Sequence, residues 1–207
     1  MKYYIFLITA VLFFAAACNK NNQDYGLTAY QNKDYITAFS LSEKGCNEKN
    51  GEACYLLANI YYMGLSRQMD HVKAARYYIK SCEIGNGRAC YMMGKLYSES
   101  RFIPEDMDQS EAYYRKSNKM LTKECDTGNP ESCLYAGALY LYSKGVPHDT
   151  DKALSFFEKS CKMNYALGCY TIGYLLNTGK YDIAKNINMA NNYLNKACRL
   201  GYKDACR

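Results

Sequence analysis

The chain has 207 residues, a formal net charge of +6 and eleven cysteines, and its Lys and Arg residues are scattered among Asp and Glu without a basic run. Nucleic-acid binding needs a concentrated basic patch, so this composition argues against it, and we predict no nucleic-acid partner. The length is ample for one domain with a substantial core.

The first 17 residues have the layout of an export signal. Lys2 precedes an apolar run from Tyr3 to Phe14, and three alanines follow. A charged start, an apolar centre and small residues before the cleavage site are typical of a signal peptide, which we predict over residues 1–17. The uncharged stretch before Cys18 has 15 residues. A spanning helix needs about 18 or more, so an uncleaved membrane anchor is the less favoured alternative.

Cys18 follows Ala15-Ala16-Ala17 directly and resembles the lipobox cysteine of a bacterial lipoprotein. The resemblance implies cleavage before Cys18 and its lipidation, with residues 18–23 as a polar tether to the membrane. Position 15 carries Ala where a lipobox usually has Leu, so secretory cleavage at the same bond is the alternative. Setting Cys18 aside leaves ten cysteines, an even number that fits five pairs. We therefore predict an exported lipoprotein, facing the periplasm or the cell surface, or else a secreted protein.

The remaining ten cysteines belong to a repeat. They form five C-x7-C pairs, and the second cysteines recur at intervals of 36, 43, 36 and 37 residues. Small residues lie four positions after the first four of these second cysteines, and Tyr or Leu lies seven after, offsets that mark one helix face. The first cysteine of each pair ends a second helical pattern, with Lys two residues earlier at the negative end of the helix dipole.

This periodicity predicts an all-α fold: a right-handed α/α solenoid of about five helix pairs that occupies residues 24–207. The predicted repeats and their terminal cap are 24–50, 51–86, 87–129, 130–165, 166–201 and 202–207. Asp70 and Asp149 are predicted helix N-caps, and Pro130 is a predicted first helical residue. The third repeat is seven residues longer, and SNKMLTK fits as an extension of its second helix. The extension is either a tolerated insertion or a partner surface.

The C-x7-C spacing favours structural disulfides. A turn of this length brings two Cα atoms within disulfide range, whereas zinc sites and redox pairs more often use shorter spacings such as C-x-x-C. The chain has only two histidines. We predict no metal and no cofactor, and disulfides within the five pairs Cys46 and Cys54, Cys82 and Cys90, Cys125 and Cys133, Cys161 and Cys169, and Cys198 and Cys206.

The column of small residues, the Tyr three positions later and the elbow KSCEIGNGRAC resemble Sel1-like repeats, which are relatives of tetratricopeptide repeats. One cysteine pair per repeat together with an export signal is similar to the Helicobacter cysteine-rich protein family, also known as the Hcp β-lactamase family. The resemblance implies a scaffold that binds peptides or proteins. It also associates penicillin binding and weak β-lactam hydrolysis with the chain.

The resemblance aligns the first helix of each pair with the tetratricopeptide helix that lines a concave groove. The implied groove positions lie two residues before the second cysteine and one, five and eight after it. Rings would supply contact area, amides would bind a peptide backbone and cations would take a ligand carboxylate. For any single Tyr the alternative is packing between helices, because the chain has 23 of them. The predicted groove residues are Tyr55, Asn59, Tyr62, Arg88, Tyr91, Lys95, Tyr170, Tyr174 and Asn177.

The sequence holds no recognised hydrolase apparatus. Serine β-lactamases use S-x-x-K, and no Ser after Cys18 has a Lys three residues later. A metal-dependent β-lactamase needs clustered histidines. The favoured function is an exported scaffold, expected to be monomeric, that binds a protein segment or a cell-wall peptide in its groove. A weak β-lactamase or penicillin-binding protein that uses the same groove is the alternative, and a host-facing interaction protein is a third hypothesis.

Overall fold

The computed structural model describes residues 24–99 and 102–206, so the predicted signal peptide, Cys18 and the tether lie outside the described residues. The described residues form α-helices and one 3-10 turn, with no strand among them, which confirms the predicted all-α solenoid. The helices are α1 Leu27–Gln31, α2 Tyr35–Asn47, α3 Gly51–Met63, α4 His71–Ile84, α5 Gly87–Glu99, α6 Met107–Asp126, α7 Pro130–Leu141, α8 Thr150–Lys162, α9 Ala166–Thr178 and α10 Ile187–Arg199, followed by the turn Lys203–Ala205.

Polar side chains cap the helix N-termini. Asp70 accepts a hydrogen bond from the backbone N–H of Lys73 at 2.8 Å, and Asp149 accepts one from Lys152 at 2.9 Å. Pro130 is the first residue of α7. These three predictions are therefore confirmed. Caps that the sequence analysis did not single out are Asp34, Asn50, Asp106, Asn129 and Asn186.

The elbows between helix pairs share one backbone conformation. Gly85, Gly128 and Gly201 have positive φ angles of 114°, 100° and 94°. Glycine adopts this left-handed region at little cost. The first elbow carries Lys49 at the equivalent place, and its φ is also positive, at 62°. The chain therefore follows the same path at this elbow without the help of a glycine.

Neighbouring helices of a pair run antiparallel. At one end of α3 and α4, the N–H of Asp70 donates to the carbonyl oxygen of Tyr61 at 3.0 Å. At the other end, the hydroxyl of Ser81 donates to the carbonyl oxygen of Gly51 at 2.6 Å. Contacts between the start of one helix and the end of the next at both ends require the antiparallel arrangement.

The column of small residues lies where the two helices of a pair approach each other. A Cβ atom added to Gly94 would lie 2.7 Å from the ring of Tyr114, and one added to Gly137 would lie 2.6 Å from the ring of Phe157. Tyr114 and Phe157 are each about 1% exposed and belong to the core. The small residues thus make room for the rings that fill the solenoid interior.

The second helix of the third pair is extended, as predicted. α6 has 20 residues, whereas α4 has 14 and α8 has 13. Ser117 donates to the carbonyl oxygen of Gly87 at 2.9 Å, in the same way as the equivalent serine of α4. The serine of α4 lies one residue before its cysteine, while Ser117 lies eight before Cys125. The two additional turns therefore follow Ser117. They still contact the preceding helix, because Leu121 is buried against Gly87 and Glu124 accepts a hydrogen bond from the N–H of Gly87 at 3.3 Å.

The five disulfides form as predicted, with Cα separations of 4.5 to 4.9 Å. Each links the end of one helix pair to the start of the next element. The first four are buried, whereas in the last pair Cys198 is half-buried and Cys206, after the 3-10 turn, is exposed. Multiple disulfides are typical of an oxidising, extracytoplasmic environment. Within residues 24–99 and 102–206, no helix has the length and apolar character needed to cross a membrane.

Candidate ligand groove

The first helices of four consecutive pairs line one cavity of about 460 Å³, which we call the tyrosine groove. It extends from α1 across α3, α5 and α7 to the residue before α9. Four of the nine predicted groove residues belong to it, namely Tyr55, Asn59, Tyr62 and Arg88. The other lining residues are Leu27, Tyr30, Gln31, Glu52, Leu56, Met63, Met92, Glu131, Tyr135 and Tyr165.

An ion triad lies at the centre of the groove. The guanidinium of Arg88 donates to a carboxylate oxygen of Glu131 at 2.5 Å through Nη1 and to Glu52 through Nη2. The three residues occupy the same position, two before the second cysteine, in consecutive repeats. Stacking of the repeats therefore places an acid, a base and an acid side by side.

The triad is partly shielded from water. The side chain of Arg88 is 12% exposed, and those of Glu52 and Glu131 are 34% and 32% exposed. The guanidinium also lies over the ring of Tyr55, 4.6 Å from its centre. Asn86 donates a further hydrogen bond to Glu52 at 3.0 Å. These contacts hold the guanidinium in place.

Burial and neighbouring charges shift the pKa values of Glu131 and Arg88 in opposite directions. Burial raises the pKa of Glu131, although the attraction of Arg88 opposes it. For Arg88 burial acts to lower the pKa, but the carboxylates of Glu52 and Glu131 outweigh it, so the pKa is raised. Burial raises the pKa of Tyr165 to about 12. At neutral pH the guanidinium is therefore charged and the phenol of Tyr165 is neutral.

The floor of the groove is a network of polar rings. The hydroxyl of Tyr78 donates to the side-chain oxygen of Asn59 at 2.6 Å, and both residues are buried. The ring centres of Tyr55 and Tyr62 lie 5.9 and 6.3 Å from that of Tyr78. The amide of Asn59 is thus committed to the interior, and the rings form the surface that a ligand would contact.

Two predicted groove residues on α5 lie outside the cavity lining. The ring of Tyr91 packs against Tyr135 and Tyr114, with centroid distances of 5.0 and 5.5 Å. Tyr91 therefore supports Tyr135, which itself lines the groove. The side chain of Lys95 is exposed.

The three predicted residues on α9 form a separate group near the C-terminal cap. Tyr170 contacts Tyr202 with a centroid distance of 4.5 Å, and the hydroxyl of Tyr174 accepts a hydrogen bond from Lys180 at 2.9 Å. Asn177 is exposed. The nine predicted residues are thus spread along the solenoid, and the structure gathers four of them into one cavity.

Sequence reasoning did not select three of the five tyrosines that line the groove, namely Tyr30, Tyr135 and Tyr165. Tyr30 lies on α1, ahead of the first cysteine pair. Tyr135 lies two residues after Cys133, one position later than Tyr55 and Tyr91 in their repeats. The expected groove position in this repeat holds a Leu, and the Tyr directly after that Leu is the signal that could have identified Tyr135. Tyr165 precedes α9 at the N-cap position and matches none of the groove offsets. Only the packing of successive pairs brings it beside the triad.

The buried serines serve the fold. Ser81, Ser110, Ser117 and Ser160 each donate to a backbone carbonyl oxygen of the preceding helix. Ser132 donates to Glu124 and is 0% exposed. Across the described ranges, His, Cys, Asp and Glu side chains do not cluster in threes that could hold a metal ion.

Comparison with solved structures gives relatives of the same architecture. A Sel1 repeat protein from Oxalobacter formigenes is 17% identical, with 87% of this chain and 74% of that chain covered and a TM-score of 0.57. A Sel1 repeat protein from Klebsiella pneumoniae is 20% identical, with coverages of 86% and 85% and a TM-score of 0.55. Cysteine-rich protein B from Helicobacter pylori is 31% identical, with coverages of 65% and 91% and a TM-score of 0.44. No curated protein sequence matches significantly.

The Sel1 repeat profile matches residues 51–86, 87–120, 130–165 and 164–202, which together make up more than half of the chain. The matched segments fall on the second to fifth helix pairs, the match to the third pair ending within α6, and the predicted resemblance to Sel1-like repeats is confirmed. Such stacked repeats are scaffolds typical of protein–protein interaction. The chain belongs to the Sel1 repeat family.

Proposed function

We propose that this protein is an exported scaffold that binds an extended segment of a peptide or protein in the tyrosine groove. The observation that carries the proposal is the continuity of the groove across four helix pairs, which suits a ligand that extends along the stack. Its rings supply rigid contact area, and its polar groups can fix the orientation of the ligand.

Two features support export. The first 17 residues have the layout of a signal peptide, and the ten cysteines from Cys46 to Cys206 pair with one another, as expected in an oxidising compartment. These five pairs leave Cys18 as the odd cysteine of the sequence. Lipidation of Cys18, which would hold the scaffold at a membrane surface, accounts for this odd thiol. Mass spectrometry of the protein isolated from membranes tests it, because an unmodified mature N-terminus at Cys18 would contradict lipidation.

Selection from a random peptide library against the oxidised, mature protein tests the groove. We expect the selected peptides to lose affinity for Tyr62→Ala and Tyr165→Ala, since both side chains line the groove and are half-buried. Tyr181→Ala is the matched control, because Tyr181 is exposed and lies outside the groove. Peptides that bind all three variants equally, or a selection that yields no binder, would contradict the proposal.

A further inference from the structure

The tyrosine groove carries a net negative charge. Its lining includes one guanidinium, that of Arg88, and two carboxylates, those of Glu52 and Glu131. Their charges sum to −1 when all three are ionised. A third carboxylate, that of Glu124, lies close enough to raise the pKa of Glu131 further, although burial is the larger cause. Among the described residues no other charged side chain lines this cavity, so the groove has an excess of negative charge.

Arg88 is already paired with two carboxylates of the chain. Its guanidinium donates to both of them and lies over the ring of Tyr55. A ligand carboxylate that approaches Arg88 is repelled by Glu52 and Glu131, and displacing either one would leave that side chain partly buried without its cation, which is unfavourable. The expectation that Arg88 takes a ligand carboxylate therefore does not match the observed pairing.

Two acceptor atoms remain open to a ligand. Both hydrogen bonds of Glu52 and the one of Glu131 end on Oε2, and in the described part of the chain neither Oε1 atom accepts a hydrogen bond. Neither of these two unpaired Oε1 atoms belongs to the polar atoms that are buried without a partner. Both are therefore accessible to water or to a ligand. Tyr135 and Tyr165 line the same cavity as these carboxylates. Open carboxylate oxygens together with ring faces match the needs of a cation.

We propose that the groove selects a basic group of its ligand, either a Lys or Arg side chain or a free amine, and disfavours a carboxylate. This inference rests on the proposed function, because it names the chemistry of the segment that the groove binds. A second cation would also offset the cost of keeping Glu131 ionised while it is partly buried. Ligands recognised through a carboxylate, such as penicillins or the end of a cell-wall peptide, are consequently poor candidates.

Five small probes distinguish these chemistries in an NMR titration of the oxidised, mature protein. Four are the N-acetyl amides of lysine, arginine, norleucine and glutamate, and the fifth, alanine amide, presents a free amine without a long side chain. We expect the lysine or arginine probe to bind at least roughly tenfold more tightly than norleucine, the size of one charged hydrogen bond. A preference for alanine amide over both would assign the site to an N-terminal amine. Raising the salt concentration should weaken the favoured basic probe and leave norleucine unchanged.

Two variants change the charge of the groove in opposite directions. Glu131→Gln removes one carboxylate and should weaken the favoured basic probe by roughly tenfold. Arg88→Gln removes the internal cation and should tighten binding of the same probe, an outcome that loss of folding cannot produce. Glu83→Gln is the matched control, because Glu83 is exposed on α4 and lies outside the groove.

Different negative results would contradict the basic selectivity of the groove and the peptide-binding function itself. Norleucine or glutamate binding as tightly as the basic probes, or basic probes that bind Glu131→Gln as well as the unchanged protein, would overturn the basic selectivity. Library peptides that need Tyr62 and Tyr165 but contain neither a basic residue nor a free N-terminal amine would also overturn it and leave the proposed function intact. If neither the probes nor any library peptide binds in the groove, both proposals fall.

Discussion

The hydroxyl of Ser81, near the end of α4, donates a 2.6 Å hydrogen bond to the backbone carbonyl oxygen of Gly51, the first residue of α3. The third and fourth pairs repeat this contact between residues 30 apart, from Ser117 to Gly87 at 2.9 Å and from Ser160 to Pro130 at 2.7 Å. The serine thus fixes the register of the second helix against the first. Because the bond is buried, it discriminates against sliding of one helix along the other.

Ser81→Ala should destabilise the protein by about 1 kcal/mol, the usual net contribution of a buried hydrogen bond. Ser81 is 0% exposed and Gly51 is partly buried, so water has only restricted access to the carbonyl oxygen that loses its donor. Urea unfolding with the disulfides intact measures the change. Ser155→Ala on α8 is the control, because Ser155 is exposed and no change beyond a small gain in helix propensity is expected. Equal stability of Ser81→Ala and the unchanged protein would show that helix packing alone sets the register.

Gly137→Ala tests the close approach of α7 and α8. The new methyl would lie 2.6 Å from the ring of Phe157 and 3.0 Å from the carbonyl oxygen of Ala153. We expect a loss of about 1–3 kcal/mol from overpacking, reduced by up to about 1 kcal/mol from the better helix propensity of Ala. Gly51→Ala is the matched control. The nearest atom to its new methyl, 3.3 Å away, belongs to the exposed side chain of Ile84, which can move.

Thermal unfolding of the two glycine variants provides the comparison. A lower Tm for Gly137→Ala together with an unchanged or higher Tm for Gly51→Ala would confirm that the small column is a packing requirement. If both variants gain stability, the helices have room that the structure does not show, and the column reflects something other than close packing.

The stack was predictable from sequence because its determinants are local and periodic. The cysteine spacing identified five elbows, and the small residues before Tyr97 and Tyr140 identified the face of each first helix. The added turns of α6 followed from a spacing of 43 instead of 36 residues. Even the left-handed elbow at Lys49 sits at the place that the other repeats indicate.

The groove was only partly predictable because it depends on contacts between repeats. Arg88 pairs with carboxylates 36 residues before it and 43 after it. The alternation of Glu, Arg and Glu at one register position was visible in the sequence, but whether such side chains meet depends on how the pairs stack. Tyr165 and Tyr135 join the groove through the same stacking, with no periodic signal of their own.

The terminal disulfide, Cys198–Cys206, should be reduced first. Cys206 is exposed and Cys198 is half-buried, whereas both sulfurs of each of the other four disulfides belong to buried residues. A thiolate must reach a sulfur atom to attack it, so access controls the order of reduction under native conditions. Brief treatment with a small thiol, followed by alkylation and peptide mass spectrometry, should label Cys198 and Cys206 before any other pair.

The same experiment in denaturant provides the control for intrinsic reactivity. Without the folded structure the five pairs should be labelled at similar rates, since each closes a ring of the same size. Earlier labelling of Cys46, Cys54 or another interior cysteine in the folded protein would contradict the prediction. It would show that an inner elbow opens more readily than the exposed terminal one.

The cap of α4 makes a contribution to stability that depends on pH. Asp70 accepts the backbone N–H of Lys73, and this hydrogen bond lowers the pKa of Asp70 below its ordinary value of 3.8. A carboxyl whose pKa is lower in the folded state stabilises that state fully above the unfolded pKa. The contribution is lost as the pH falls through the folded pKa. Acidification should therefore weaken the start of α4.

Asp70→Asn separates the cap from its charge. Asn caps a helix about as well as Asp, so the variant should have a Tm close to that of the unchanged protein at neutral pH. From about pH 6 to about pH 2 its Tm should fall less, since its cap does not titrate. Asp182→Asn, which removes an exposed carboxylate outside the helices, controls for the loss of charge. Equal acid-induced losses of Tm in the Asp70→Asn variant and the unchanged protein would mean that the carboxylate of Asp70 contributes through its shape and not through its charge.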